Sequence, residues 1–284
     1  MYASIIGNVI NFCLNAFFLF VLHKGVAGVA TATVISRIIN LVIVVLLGAV
    51  LVKAKQHPER ESNRAVMGQI IRIGLPSACE TAIYNVSMTL VIRFLNQMDA
   101  QGLNVTARSY TMQITNFSYC VGAALAQANA IMTGWHIGAK EYDACDRGTR
   151  KAAIIGVIVA VILETMFALC SGWIMQLFSK DPQMVSLVGK LLAIDIVLEM
   201  GRVTNLVYGQ ALKTSGDAVF PVVMGACFMI LCSVGGTYLF GIRLGLLAVG
   251  AYIGMAGDEC VRAVGMYLRW KSGKWKEKGL VKSR

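Results

Sequence analysis

Eight long apolar segments dominate this 284-residue chain, at roughly 3–22, 27–52, 70–95, 105–136, 153–178, 184–211, 219–242 and 245–268. They leave it few ways to fold. A helix rises ~1.5 Å per residue, so ~20 residues cross the ~30 Å hydrocarbon core of a bilayer. None of the segments keeps a period-2 alternation, which argues against a membrane β-barrel. A helix satisfies its own backbone groups, as lipid requires. The sequence therefore predicts an all-α integral membrane protein with about eight transmembrane helices. Composition agrees, because only 14% of the residues are charged, against about 25% in a soluble domain.

Basic residues set the expected orientation. The connections after the second, fourth, sixth and eighth segments, with the tail, hold sixteen Lys and Arg; the alternate connections hold only Lys24, Lys180 and Arg243. That asymmetry places both ends in the cytoplasm of a cell whose inner (plasma) membrane the chain spans. It also explains the net charge of +11 without a nucleic-acid partner. The basic run RWKSGKWKEKGLVKSR fits a tail against an anionic leaflet. The eight cysteines form no CxxC pair and no Cys/His metal cluster, so neither a disulfide framework nor a metal site is expected. No basic n-region precedes the first apolar stretch, so no secretory signal is expected. No HExxH, GxSxG or Walker loop occurs, so the chain is not read as an enzyme, and no cofactor is expected. Without a nucleotide loop, transport would draw on an ion gradient.

The organisation expected is a helical hairpin at 1–52, a polar linker at 53–64 containing Pro58, six helices over 65–268, and a basic tail at 269–284. An internal repeat supports the division. At an offset of 220, Leu19 and Phe20 align with Leu239 and Phe240, and Gly25 with Gly245. Parallel repeats are common in transporters.

Ionisable groups inside a bilayer cost several kcal/mol, on the order of 2.5–3.5 even on lenient scales, and mark ion or solute paths. Asp195, Glu199 and Arg202 share one helix face at steps of four and three. Glu199 and Arg202 can pair, leaving Asp195 one turn towards the outside. The cluster is either a buried pair that fixes register or a coupling site tuned by Arg202, with Asn205 on the same helix. In IGLPSACETAIYN, Pro76 predicts a bend, with Glu80, Tyr84 and Asn85 beyond it. Glu80 is either a lone proton or cation carrier or a neutral group bonded to a neighbouring helix. Glu164 lies deep in the fifth span with no partner legible. Asp258, Glu259 and Arg262 read as a structural pairing, whereas Arg37, Arg93 and Arg108 sit nearer span ends and can snorkel. Asn8, Asn11 and Asn15 form a polar stripe suited to interhelical hydrogen bonds.

IGLPSACETAIYN (73–85), Arg108-x-Tyr110, AQANAIMTGWHIGAKEYDAC (126–145), LEMGRVTNLVYGQALKTSGDAVFP (198–221) and FFLFVLHKGVAGVATATVIS (17–36) together resemble the multidrug and toxic compound extrusion (MATE) family. The resemblance implies a partial two-lobe fold: the last two helices of the first lobe plus the whole second lobe, with four N-terminal helices lacking a counterpart. It further implies sodium- or proton-coupled export of small amphipathic organic cations by alternating access, with Glu80 on the span that carries the family's seventh-helix acid. Coupling would fall to Glu80, Asp195 and Glu199, and the cavity to Tyr84, Asn85, Arg202, Asn205 and Glu164. On this view the 284 residues, with the Asn stripe facing lipid, would need the missing helices in trans. A lipid-linked oligosaccharide flippase of the same superfamily and a non-transporting membrane fragment are the alternatives. A flippase would line its cavity with Arg and Lys, whereas the deep sites here lean acidic, which favours cationic cargo.

Overall fold

The computed structural model describes residues 2–53, 63–99 and 102–277. Most of the expected linker and the end of the tail lie outside them. The described residues contain no strand. Helices α1 (Tyr2–Ala16), α2 (Gly25–Lys53), α3 (Asn63–Met98), α4 (Leu103–Gly138), α5 (Tyr142–Leu169), the short α6 (Ser171–Met175), α7 (Pro182–Thr214), α8 (Val219–Phe228) and α9 (Leu247–Lys271) follow in order. Helix α1 runs on as a π-helical turn at Phe17–Val21, and α8 runs on through π-helical stretches at Met229–Val234 and Thr237–Arg243. The eight expected segments thus become eight helical passes. Helix α3 continues unbroken through Pro76.

Two boundaries differ from expectation. The fifth pass begins at Tyr142 rather than 153 and breaks at Cys170. Its first turns carry Arg147, Arg150 and Lys151, which are exposed and extend the helix beyond its apolar part. The start of the basic tail is anchored by its two tryptophans. Trp275 is buried and stacks on Trp270 at 4.2 Å, and the Trp270 Nε1–H donates to Asp146 Oδ1 at 2.8 Å. Arg269 holds Asp217 at 2.6 Å. Two indoles find enough apolar surface and hydrogen-bond partners there to order a sequence that looks like a loose tail.

Among the described residues, three helical stretches are long and apolar enough to cross a membrane: Gly25–Ala49, Tyr142–Leu169 and Val219–Arg243. Helices α3, α4, α7 and α9 are long enough, at 36, 36, 33 and 25 residues, but carry polar and charged groups on inward faces. Helix α5 shows the logic. Ile154, Ile158 and Ile162, each one turn from the next, are more than half exposed, while Ala153, Ala160 and Glu164 are buried. Large apolar side chains face out and small or acidic ones face in, as expected where lipid is the solvent.

The chain forms two compact units, Met1–Val66 and Met67–Arg284. In the first, the Asn11 Nδ2–H donates to Ser36 Oγ at 2.9 Å, and Asn15 Nδ2 donates to Asn11 Oδ1 at 3.0 Å. The stripe is therefore partly consumed inside its own hairpin, and of the three only Asn8 is exposed. In the second unit, α7 runs through the middle and packs against α4, α5 and α9. Asp181 starts it, accepting from the Gln183 amide at 3.0 Å ahead of Pro182, the usual N-cap arrangement. A Cβ on Gly201 would sit 2.9 Å from the Cys260 backbone nitrogen, so this glycine lets α7 and α9 touch backbone to backbone.

The internal repeat is present, in a different register. His23 and Gly25 take positive φ, as do Gly245 and Leu247. The turn bonds Leu22 N to Phe17 O and Lys24 N to Phe18 O recur as Leu244 N to Leu239 O and Leu246 N to Phe240 O. The Asn11–Ser36 bond recurs as Ser233 to Asp258, at 3.0 Å. All of these fix the offset at 222, not 220. The backbone preserves the hairpin where side-chain identities misalign it by two residues.

Candidate functional site

Charged side chains from α7 and α9 meet inside the second unit. Glu199 pairs with Arg202 one turn on, Oε2 to Nη1 at 2.7 Å. Arg202 also reaches Glu259 Oε1 through Nε at 3.6 Å. Glu259 accepts from Asn205 Nδ2 at 3.1 Å and pairs with Arg262 at 2.9 Å. Arg262 forks onto both oxygens of Asp258, at 3.0 and 2.9 Å, and Ser233 donates to Asp258 as well. Bidentate Arg–carboxylate contacts are among the strongest hydrogen bonds a protein makes. Glu259, read from the sequence as structural, is the hub that joins the two helices.

Asp195 lies at the outer edge of this network, 2% exposed and with Oδ2 lacking a hydrogen-bond partner. Glu199 is fully buried, with Oε1 also unpartnered. Glu164 is fully buried on α5 with both oxygens unpartnered. It adjoins the network without lining either of the cavities described below.

Three sequence expectations are corrected. Glu80 is not a lone carboxylate: Lys213 Nζ lies 2.6 Å from its Oε2. Lys213 belongs to the last turn of α7, where the sequence had it in a connection. Asn85 is exposed, and its amide turns back to the Thr81 carbonyl at 2.9 Å, so it takes no part in the site. Arg108 does not snorkel. It is 7% exposed and faces inward.

Two cavities flank the network. The smaller, of about 230 Å³, is lined by Arg108, Met112, Asp195, Tyr252 and Asp258 among others; the larger, of about 420 Å³, by Glu80, Asn205, Lys213, Arg262 and Met266 among others. Tyr84, Tyr119, Arg202 and Glu259 line both, and the Arg202 guanidinium lies 5.9 Å from the Tyr119 ring centre. Arg202 thus stands on the wall that the two cavities share, in a polar path along α7.

A family model described as MatE matches residues 76–239, more than half of the chain, from α3 to the end region of α8. The chain belongs to the MatE family. Among relatives, an uncharacterised transporter, YisQ, of Bacillus subtilis (strain 168) is 33% identical over 99% of the chain and 63% of its own length. Human multidrug and toxin extrusion protein 2 is 21% identical over 89% of the chain and 42% of its own length. A eukaryotic MATE transporter, AtDTX14, superposes with a TM-score of 0.86 at 17% identity, covering 98% of this chain and 62% of that one. The chain therefore has the all-α fold of MATE membrane transporters, and spans less than two thirds of the length of these relatives. Members of the MatE family are transporters, not enzymes.

The acids on α7 and the pairing of Glu199 with Arg202 were legible from spacing along one helix. Glu259 as a hub, Lys213 and the inward Arg108 were missed, because each depends on which helices abut. Lys213 lies 133 positions from Glu80, too far for spacing along the sequence to relate them.

Proposed function

We propose that the protein works as an ion-coupled exporter of small amphipathic organic cations, by alternating access, with a proton or sodium ion moving the other way. The observation that carries this is the charge balance of the network. Asp195, Glu199, Asp258 and Glu259 have two cations at ion-pair distance of the group, Arg202 and Arg262, and the acids still outnumber the bases when Arg108, on the wall of the smaller cavity, is added. A surplus of buried carboxylate is costly unless a proton, a metal cation or an organic cation meets it. These are the species an antiporter exchanges, and competition for the same surplus charge would couple their movements. Glu199 and Asp195 are the coupling groups in this reading, because each keeps an unpartnered oxygen. Arg202, on the shared wall, tunes their charge state, and Glu80 with Lys213 forms a neutral pair along the larger cavity.

The test is efflux of ethidium from cells expressing the protein in its native membrane. Glu199→Gln and Asp195→Asn should each slow ion-driven efflux by at least about tenfold, equivalent to ~1.4 kcal/mol of lost stabilisation, at unchanged membrane abundance. Arg37→Gln, on an exposed face, should change it less than about twofold. Unimpaired efflux by Glu199→Gln and Asp195→Asn would refute the coupling role.

A further inference from the structure

We propose that the smaller cavity is a binding site for a zwitterion, with Arg108 holding a carboxylate and Asp195 the cationic end of the same ligand. The proposal deepens the export reading and rests on it for the ligand being cargo.

Arg108 is the least provided-for cation in the described structure. It is 7% exposed and makes no ion pair. Its Nε lacks a partner, and the side-chain contact it does have is from Nη2 to the Met88 sulfur at 3.7 Å. A thioether is a weak acceptor, and a guanidinium presents five donors in a planar fork shaped for a carboxylate. The two other arginines of the path have their carboxylates: Arg202 has Glu199 and Arg262 has Asp258.

Asp195 has the complementary deficit. It is 2% exposed, joins no ion pair, and leaves Oδ2 unpartnered. Arg108 and Asp195 line the same cavity yet do not pair with each other. Two opposite charges withdrawn from water, each unpaired and facing one space, are stabilised together by a ligand that carries both opposite charges. Tyr84, Tyr119 and Tyr252 supply aromatic wall between them, suited to a ring. At about 230 Å³ the cavity is smaller than the ~300–1,000 Å³ of drug-sized sites, so a single-ring molecule is the right scale.

Three probes of one ring each separate the contributions: 4-(aminomethyl)benzoate, benzylamine and benzoate, titrated calorimetrically into the purified protein in detergent. The zwitterion should bind at least about tenfold more tightly than either singly charged probe. Arg108→Gln should bring its affinity down to that of benzylamine while leaving benzylamine unchanged, and Asp195→Asn should bring it down to that of benzoate. Retained benzylamine binding shows that Arg108→Gln is folded. Should that variant fail to fold, the ranking of the three probes on the unaltered protein, with Asp195→Asn, decides. Equal binding of benzylamine and the zwitterion overturns the proposal, and so does binding of none of the three, which would mean that water alone solvates Arg108. Neither result touches the export reading, which stands or falls on ethidium efflux.

Discussion

Lys213 and Glu80 meet at 2.6 Å across 133 positions of sequence. Each side chain is about one-fifth exposed, so the pair is neither free on a surface nor fully withdrawn from water. Removing one partner strands the other beside a half-open cavity; removing both does not. Glu80→Gln and Lys213→Met should therefore each lower stability by roughly 1–3 kcal/mol. The double variant should lose clearly less than the sum, read as thermal unfolding of the purified protein. Strict additivity would show that the two do not interact. This pair also marks the limit of sequence reading at the residue scale. Asp195, Glu199 and Arg202 declare their relation through steps of four and three along one helix. Nothing local to Glu80 names α7 as its neighbour, and nothing local to Arg108 distinguishes an inward guanidinium from one that snorkels. Asn85 failed for a related reason: a mid-span amide can satisfy itself on the carbonyl one turn back.

At the scale of elements, the passes were legible because an apolar run of bilayer length has few alternatives to a helix. Their ends were not, since a helix can carry Arg147, Arg150 and Lys151 into water at no cost to its hydrogen bonds. Nor was the packing of Trp275 on Trp270, which depends on Asp146 arriving from another helix. The hairpin repeat was visible in residues but registered two positions off, because the turn geometry repeats where the side chains do not. The α7–α9 contact rests on Gly201 facing the backbone of Glu259 and Cys260. A methyl there meets backbone at 2.9 Å, which no side-chain rotation relieves. Gly201→Ala should destabilise by about 1–3 kcal/mol and loosen the Arg202–Glu259 junction next to it, lowering the unfolding temperature and slowing efflux together. An unchanged unfolding temperature would show that the two helices are not held so closely.

For the whole molecule, membrane residence, helical class and family were all readable from the sequence. Eight apolar segments and five motifs spread over the chain point the same way, and the family match and fold agree. The chemistry of the site lay a step further, in how α3, α4, α7 and α9 bring acids and bases from distant positions to one polar path. That path carries more carboxylate than cation in its central network, and the account of function turns on what neutralises the excess. The most direct measurement is counter-ion movement in inside-out vesicles prepared from the membranes of expressing cells, where the protein keeps whatever accompanies it. With an imposed proton or sodium gradient, ethidium added outside should accumulate and dissipate one of those gradients faster than in vesicles without the protein. Accumulation of ethidium by this protein with neither gradient moving would contradict the account.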